Sequence, residues 1–161
     1  MKQLYLLRHA KSSWDDIELD DFDRPLNGRG KKAAPLMGKV IREKKLKPEL
    51  IVCSPSKRTK QTLKLVLEAS DLKSTVEFDS RIYEASAEEL LTVLQEQKKV
   101  DAILLIGHNP GMENLLTKLT GEHEHFPTAA LAAIDLNIEK WNAIAGGAGE
   151  MRWVIRPREL E

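Results

Sequence analysis

The 161-residue chain has a single cysteine, Cys53. No internal disulfide is possible, which fits a reducing compartment, and a cytoplasmic location is the expectation. No apolar run approaches the roughly 20 residues needed to cross a bilayer. The N-terminus also lacks the basic stretch and cleavage site of a secretory signal, so no membrane partner is expected. Neither sign of charge is in excess: Lys+Arg and Asp+Glu each number 25. A neutral chain is not drawn to nucleic acid, so no nucleic-acid partner is expected and any anion site must be built locally. Repeats, linkers and low-complexity tracts are missing too, which points to one domain over 1–161. What is present is 42% apolar and 31% charged residues, the balance of a globular domain with a real core.

Leu4-Tyr5-Leu6-Leu7 reads as a short buried strand that stops abruptly at Arg8-His9. Residues 12–27, rich in aspartate, form a long loop, and loops of that length are usually functional or mobile. Asn27-Gly28 starts a helix carrying Ala33, Leu36, Met37, Val40 and Ile41 inward, with Pro35 predicting a kink or a late start. Gly28-Arg29-Gly30-Lys31 lacks the spacing of a phosphate-binding loop and is read as helix-start punctuation. Leu50-Ile51-Val52-Cys53 is a second strand, and Ser54-Pro55 opens a second helix. Thr75–Phe78 is a third strand. Ser86-Ala87-Glu88-Glu89 has the form of a capping box before a third helix. Ala102–Ile106 is a fourth strand, and Asn109-Pro110-Gly111 begins a helix that Gly121 ends. Ala129–Leu136 and Met151–Ile155 read as a hairpin joined by a Gly-rich turn at 146–149. Strands alternating with helices predict an α/β fold: a mainly parallel six-stranded sheet between two helical layers, an α/β/α sandwich.

Three strands run directly into polar, helix-starting turns. The first ends in Arg8-His9, the second in Ser54-Pro55-Ser56-Lys57-Arg58-Thr59, the fourth in Gly107-His108-Asn109-Pro110-Gly111. In a parallel sheet these turns gather at the carboxyl edge, where ligands bind. Two arginines, two histidines and helix N-termini would meet there. Phosphoryl transfer needs such a set, because its transition state spreads charge over oxygens that must be clamped. Arginine brings a permanent charge and a planar fork matched to phosphate. Histidine is a nitrogen nucleophile when one ring nitrogen is unprotonated, and a second, protonated histidine can bind phosphoryl oxygens. A carboxylic acid is expected for the leaving group, and Glu84, just past the third strand, is the best placed.

Leu7-Arg8-His9-Ala10-Lys11-Ser12 resembles the Arg-His-Gly signature of the histidine phosphatase (phosphoglycerate mutase-like) superfamily. Ser54-Pro-Ser-Lys-Arg58-Thr-Lys-Gln-Thr62 is similar to its second arginine motif, and Ile106-Gly107-His108-Asn109-Pro110-Gly111 to its second histidine motif. The short length and Arg-His-Ala-Lys-Ser-Ser-Trp point to the SixA-like phosphohistidine phosphatase branch. The resemblance implies a phosphoglycerate mutase-like fold, His9 as phosphorylated nucleophile, Arg8, Arg58 and His108 as the phosphate pocket, and Glu84 at the proton-donor position. Ser12, closing the first motif, is counted with Arg8, Arg58 and His108 as substrate-binding. The family uses no metal, and no cofactor is expected. Ala10 replaces the signature glycine. Asp15 falls where many relatives carry a phosphate-contacting asparagine, and it is left out of the site because a carboxylate repels phosphate.

Other polar features have plainer readings. His123 and His125 lack further ligands at metal spacing and read as a solvated loop. Cys53 reads as a small core residue. Asp20, Asp21 and Asp23 read as a solvated acidic face, and Trp14 either lines the site or staples the loop. The expected activity is a metal-independent phosphatase working through phospho-His9. No insertion is large enough for a separate cap, so the pocket would admit a phosphoryl group carried on a protein, such as phosphohistidine. Hydrolysis of small phosphoesters is the alternative enzyme, and a phosphate- or phosphoprotein-binding module without turnover is the rival of another class.

Overall fold

A mixed, mostly parallel sheet organises the chain. The computed structural model describes residues 1–160. Its strands are β1 (Lys2–Arg8), β2 (Leu50–Cys53), β3 (Thr75–Phe78), β4 (Ala102–Gly107), β5 (Leu131–Leu136) and β6 (Gly149–Ile155). Its helices are α1 (Gly28–Glu43), α2 (Lys57–Ser70), α3 (Ala87–Gln95) and α4 (Gly111–Thr120). The strand order is β3-β2-β4-β1-β5-β6. The first four strands pair in parallel, β5 runs antiparallel to β1, and β6 antiparallel to β5.

Alternate residues of the central strands enter two different cores, as strand pleating requires. Leu4, Leu6, Val52, Ile103 and Leu105 pack with Leu90 and Leu94 of α3 and Leu115 and Leu116 of α4. Tyr5, Leu7, Ile51, Cys53, Leu104 and Ile106 point the other way, onto Met37 and Ile41 of α1 and Leu63 and Val66 of α2. Each fully buried leucine or isoleucine contributes about 2 kcal/mol, so these two layers are the main source of stability. Burial on both faces explains why β1, β2 and β4 read as unbroken apolar runs.

The topology places the crevice. After β1 the chain crosses to α1 on one face of the sheet, and after the neighbouring β4 it crosses to α4 on the other. The carboxyl ends of these strands therefore open between diverging connections, at a switch point. Arg8 is level with Gly107, and Cys53 with Ile106, so the three polar turns leave the sheet side by side.

Several local expectations shift. The second helix is capped by Ser56, whose side chain accepts from Thr59 N–H, and starts at Lys57 rather than at Ser54-Pro55. Ser54 is engaged elsewhere, on His108. Helix α1 starts at its Asn27 cap and runs unbroken through Pro35, because α1 lies along α2 and the sheet and a proline forfeits one ladder hydrogen bond. The fifth strand begins at Leu131, not Ala129. Ala129 instead sits in a left-handed turn (φ 62°), its N–H shared between the Arg8 and His9 carbonyls. The β5–β6 connection is longer than a Gly-rich turn: residues 137–148 include a 3-10 turn, Trp141–Ala143, that buries Trp141 and joins its Nε1 to the Val100 carbonyl at 2.7 Å. The capping box at Ser86 and Glu89 forms as expected, and Gly121 ends α4 at φ 77°. No helix among the described residues is long and apolar enough to cross a membrane.

Candidate active site

His9 leaves β1 on a backbone already fixed on both sides. Its N–H donates to the Gly107 carbonyl and its own carbonyl accepts from Ala129. The imidazole is buried, and its Nδ1 lies 2.7 Å from the Ala10 carbonyl. A carbonyl only accepts, so Nδ1 carries the proton and Nε2 keeps a lone pair. Burial pushes the His9 pKa down to about 4, against the Ala10 hydrogen bond that would raise it, with Arg58 and Arg8 lowering it further. The ring is therefore neutral and nucleophilic at pH 7.

His108 faces it, with ring centroids 5.2 Å apart. Its Nδ1 lies 3.4 Å from Arg58 Nη2, and its Nε2 lies 2.8 Å from Ser54 Oγ. A guanidinium has only donors, so Nδ1 accepts and Nε2–H donates to Ser54. Burial, then His9 and Arg58, push the His108 pKa down to about 3. Where a protonated second histidine is the sequence expectation, burial and the neighbouring His9 and Arg58 keep this one neutral.

Arg58 stands in the first turn of α2 and is buried. Its Nη1 donates to the Asp21 carbonyl at 2.7 Å and its Nη2 to the Asp21 carboxylate at 2.9 Å. Arg8 donates through Nη1 to the Phe126 carbonyl at 3.4 Å, while its buried Nε has no partner among the described residues. Burial lowers the Arg8 pKa, but an arginine remains cationic in proteins. Thr62 ties the two motifs together: its Oγ1 accepts from Ala10 N–H at 3.0 Å and donates to the Arg58 carbonyl at 2.7 Å. Ala10 is fully buried and keeps a negative φ, so the position does not require glycine's freedom.

The structure thus brings Arg8, His9, Arg58 and His108 together. Ser12 is placed differently. Its backbone bridges to Leu26 where the loop folds back on itself. Glu84 is exposed, in the left-handed region (φ 56°), and its carboxylate has no hydrogen bond among the described residues. It reaches the pocket rim through Tyr83, whose ring meets His108 edge-on at 5.3 Å.

Four site residues escape sequence reasoning. Ser54 holds His108, and Tyr83 flanks it. Asp21, expected on a solvated acidic face, is bound to Arg58 and accepts from Tyr83 Oη at 2.6 Å. Burial opposes ionisation of Asp21, but the bonds from Tyr83 and Arg58 outweigh it and hold the carboxyl below its usual range. Arg24 is buried, with its guanidinium 3.9 Å over the Trp14 ring, which makes Trp14 a loop staple. The only available signal was position: Ser54 ends a strand, Tyr83 precedes Glu84, and Asp21 and Arg24 lie in the long loop. His123 and His125 are exposed, and Glu124 between them pairs with Arg156. Cys53 is fully buried, and burial pushes its thiol up to about 12, which makes it a core residue and an inert one.

Residues 4–99 match the model of the histidine phosphatase superfamily (branch 1). The SixA protein of Agrobacterium tumefaciens superposes with a TM-score of 0.85 at 29% identity, over 97% of this chain and 98% of that one. The protein histidine phosphatase SixA complexed with tungstate superposes at 0.85 and 27% identity, over 99% of both chains. An uncharacterised chloroplastic protein of Arabidopsis thaliana is 30% identical over 96% of this chain and 75% of its own length. The chain belongs to the histidine phosphatase superfamily and is SixA-like within it.

Proposed function

We propose that the protein is a metal-independent phosphatase, one domain over 1–161, that forms a phosphohistidine at His9 and takes its phosphoryl group from phosphohistidine on another protein. The observation that carries this reading is the His9 ring. Its Nδ1–H is held by the Ala10 carbonyl, which leaves Nε2 unprotonated in a ring that Arg8, Arg58 and His108 adjoin.

In the first step the Nε2 lone pair of His9 attacks phosphorus. The new P–N bond forms as the bond to the leaving group breaks. Arg8 and Arg58 supply the positive charge that the equatorial oxygens need, and His108 donates to them once Nδ1 takes up a proton. Glu84, one residue beyond Tyr83 and open to water, gives the leaving group its proton. In the second step water attacks phospho-His9, the P–N bond breaks, and its electron pair returns to Nε2. The water proton passes to the carboxylate, and phosphate departs.

Two findings support a protein-borne substrate. A protein histidine phosphatase superposes along its whole length, and the chain spends no residues on an inserted domain over the sheet edge. Acid-quenched reactions with a phosphorylated histidine-transfer domain should yield phosphate and a labelled phosphoenzyme, both lost in His9→Ala. Turnover that survives in His9→Ala removes the nucleophile assignment. A panel of sugar phosphates and nucleotides with higher kcat/KM than the phosphoprotein would move the substrate to small phosphoesters.

A further inference from the structure

Asp21 already holds the guanidinium that an incoming phosphoryl group needs. Its carbonyl accepts from Arg58 Nη1, and its carboxylate accepts from Arg58 Nη2 at 2.9 Å and from Tyr83 Oη at 2.6 Å. A carboxylate and a phosphoryl oxygen compete for the same donors, since both are anionic acceptors matched to the planar fork. The carboxylate is 43% exposed, whereas the Arg58 side chain is 9% exposed. The acid is thus the part that reaches solvent, and the base is the part that is locked.

A second observation shows where a displaced carboxylate would go. Arg24 is 9% exposed, and its Nε and Nη1 are buried with no partner among the described residues. A buried guanidinium with unpaired donors is costly unless an acceptor reaches it. Its Nε stands 4.0 Å from the other carboxylate oxygen of Asp21, just beyond hydrogen-bond reach. Asp21 therefore lies between two arginines and satisfies one.

We propose that Asp21 is an internal competitor for the phosphoryl site: phosphoryl oxygens take Arg58 from it, and its carboxylate transfers to Arg24. Asp21 is a positioning residue, acting through Arg58, and the inference rests on the phosphate-pocket reading above. On either arginine the carboxylate stays beside the pocket and weakens the hold on product phosphate as well as on substrate, so it speeds product release.

The test is calorimetric titration of the whole protein with orthovanadate and with inorganic phosphate, in wild type, Asp21→Asn, Arg24→Met and the double variant. Asparagine keeps an acceptor for Arg58 but loses the charge. Asp21→Asn should tighten vanadate binding about tenfold or more, a modest fraction of the full Coulomb term at this distance. It should lower KM, and lower kcat as phosphate release becomes slow. Arg24→Met should weaken vanadate binding in wild type and leave it unchanged in Asp21→Asn, where no carboxylate needs a new partner. If the asparagine variant does not fold by circular dichroism, Asp21→Ser makes the same comparison. Unchanged or weaker vanadate binding in the neutral variants overturns the proposal and makes Asp21 a brace for Arg58. Equal weakening by Arg24→Met in both backgrounds overturns the transfer to Arg24. Wild type that binds phosphate but turns over no phosphoryl substrate defeats the enzymatic reading and leaves this inference standing. Wild type that binds neither anion defeats both.

Discussion

Ser54 and His108 stand at the ends of adjacent strands, β2 and β4, and share one hydrogen bond of 2.8 Å. Because Arg58 offers His108 only donors, Ser54 is the acceptor that fixes the Nε2–H tautomer and leaves Nδ1 unprotonated. Ser54→Ala leaves a buried N–H unpaired, a cost of about 1–3 kcal/mol. If the ring turns to recover that bond, kcat/KM should fall about ten- to a hundredfold. Ser54→Thr keeps the hydroxyl and should retain most activity. Steady-state kinetics on both variants decide it, and full activity in Ser54→Ala would remove the tautomer argument.

His9 and His108 should titrate far below an ordinary imidazole. The pKa of His9 is about 4 and that of His108 about 3, against an ordinary 6.5. In NMR titrations both rings should stay neutral as pH falls through 6.5. The folded values are depressed, so the unfolded chain takes up these protons first. The stability contributed by His9 and His108 is complete above pH 6.5 and is lost as pH falls from there to about 4 for His9 and about 3 for His108. Denaturant midpoints measured from pH 8 to pH 4 should show that decline. A folded-state titration of His9 near 6.5 would contradict the burial argument.

Glu84 should matter only where the leaving group is a poor one. Glu84→Gln should lower kcat about a hundredfold on alkyl phosphates, the range of general acid catalysis. Phosphohistidine and p-nitrophenyl phosphate need less protonation and should be cleaved at near wild-type rates. An equal loss on all three would show that the residue shapes the rim instead of donating a proton.

Gly30 is the point where the first turn of α1 passes against the loop that leaves His9. A Cβ at this position would collide with the Lys11 backbone carbonyl. Gly30→Ala should cost about 1–3 kcal/mol through backbone displacement, despite alanine's better helix propensity. Chemical denaturation would measure it. A more stable variant would mean that the Lys11 segment yields freely.

Arg8, His9, Arg58 and His108 were legible because each lies within a few residues of an apolar strand, and strand ends in a parallel sheet share an edge. The capping box at Ser86 and the Asn27 cap were legible because they use contacts three residues apart. Asp21, Arg24 and Tyr83 were not. They meet Arg58, Trp14 and His108 through two irregular connections, β1–α1 and β3–α3, whose paths obey no periodicity, so a run of aspartates looks the same solvated or engaged. Ser54 reads locally as a helix cap, because serine before proline serves that role. Its actual partner lies 54 positions away, and only the β2–β4 pairing reveals it. Trp141 was hidden likewise, since its Val100 carbonyl partner belongs to a different connection.

His9 and His108 each follow a strand residue that pairs with its neighbour, Arg8 beside Gly107. Their rings, 5.2 Å apart, sit close to the ~4.8 Å spacing of adjacent strands. The width between the two rings is therefore a property of the peptide backbone, with the sheet acting as a ruler. Side-chain substitutions around the rim can change what the site admits and how firmly it is held. They cannot easily change that width, because doing so means pulling two hydrogen-bonded strands apart.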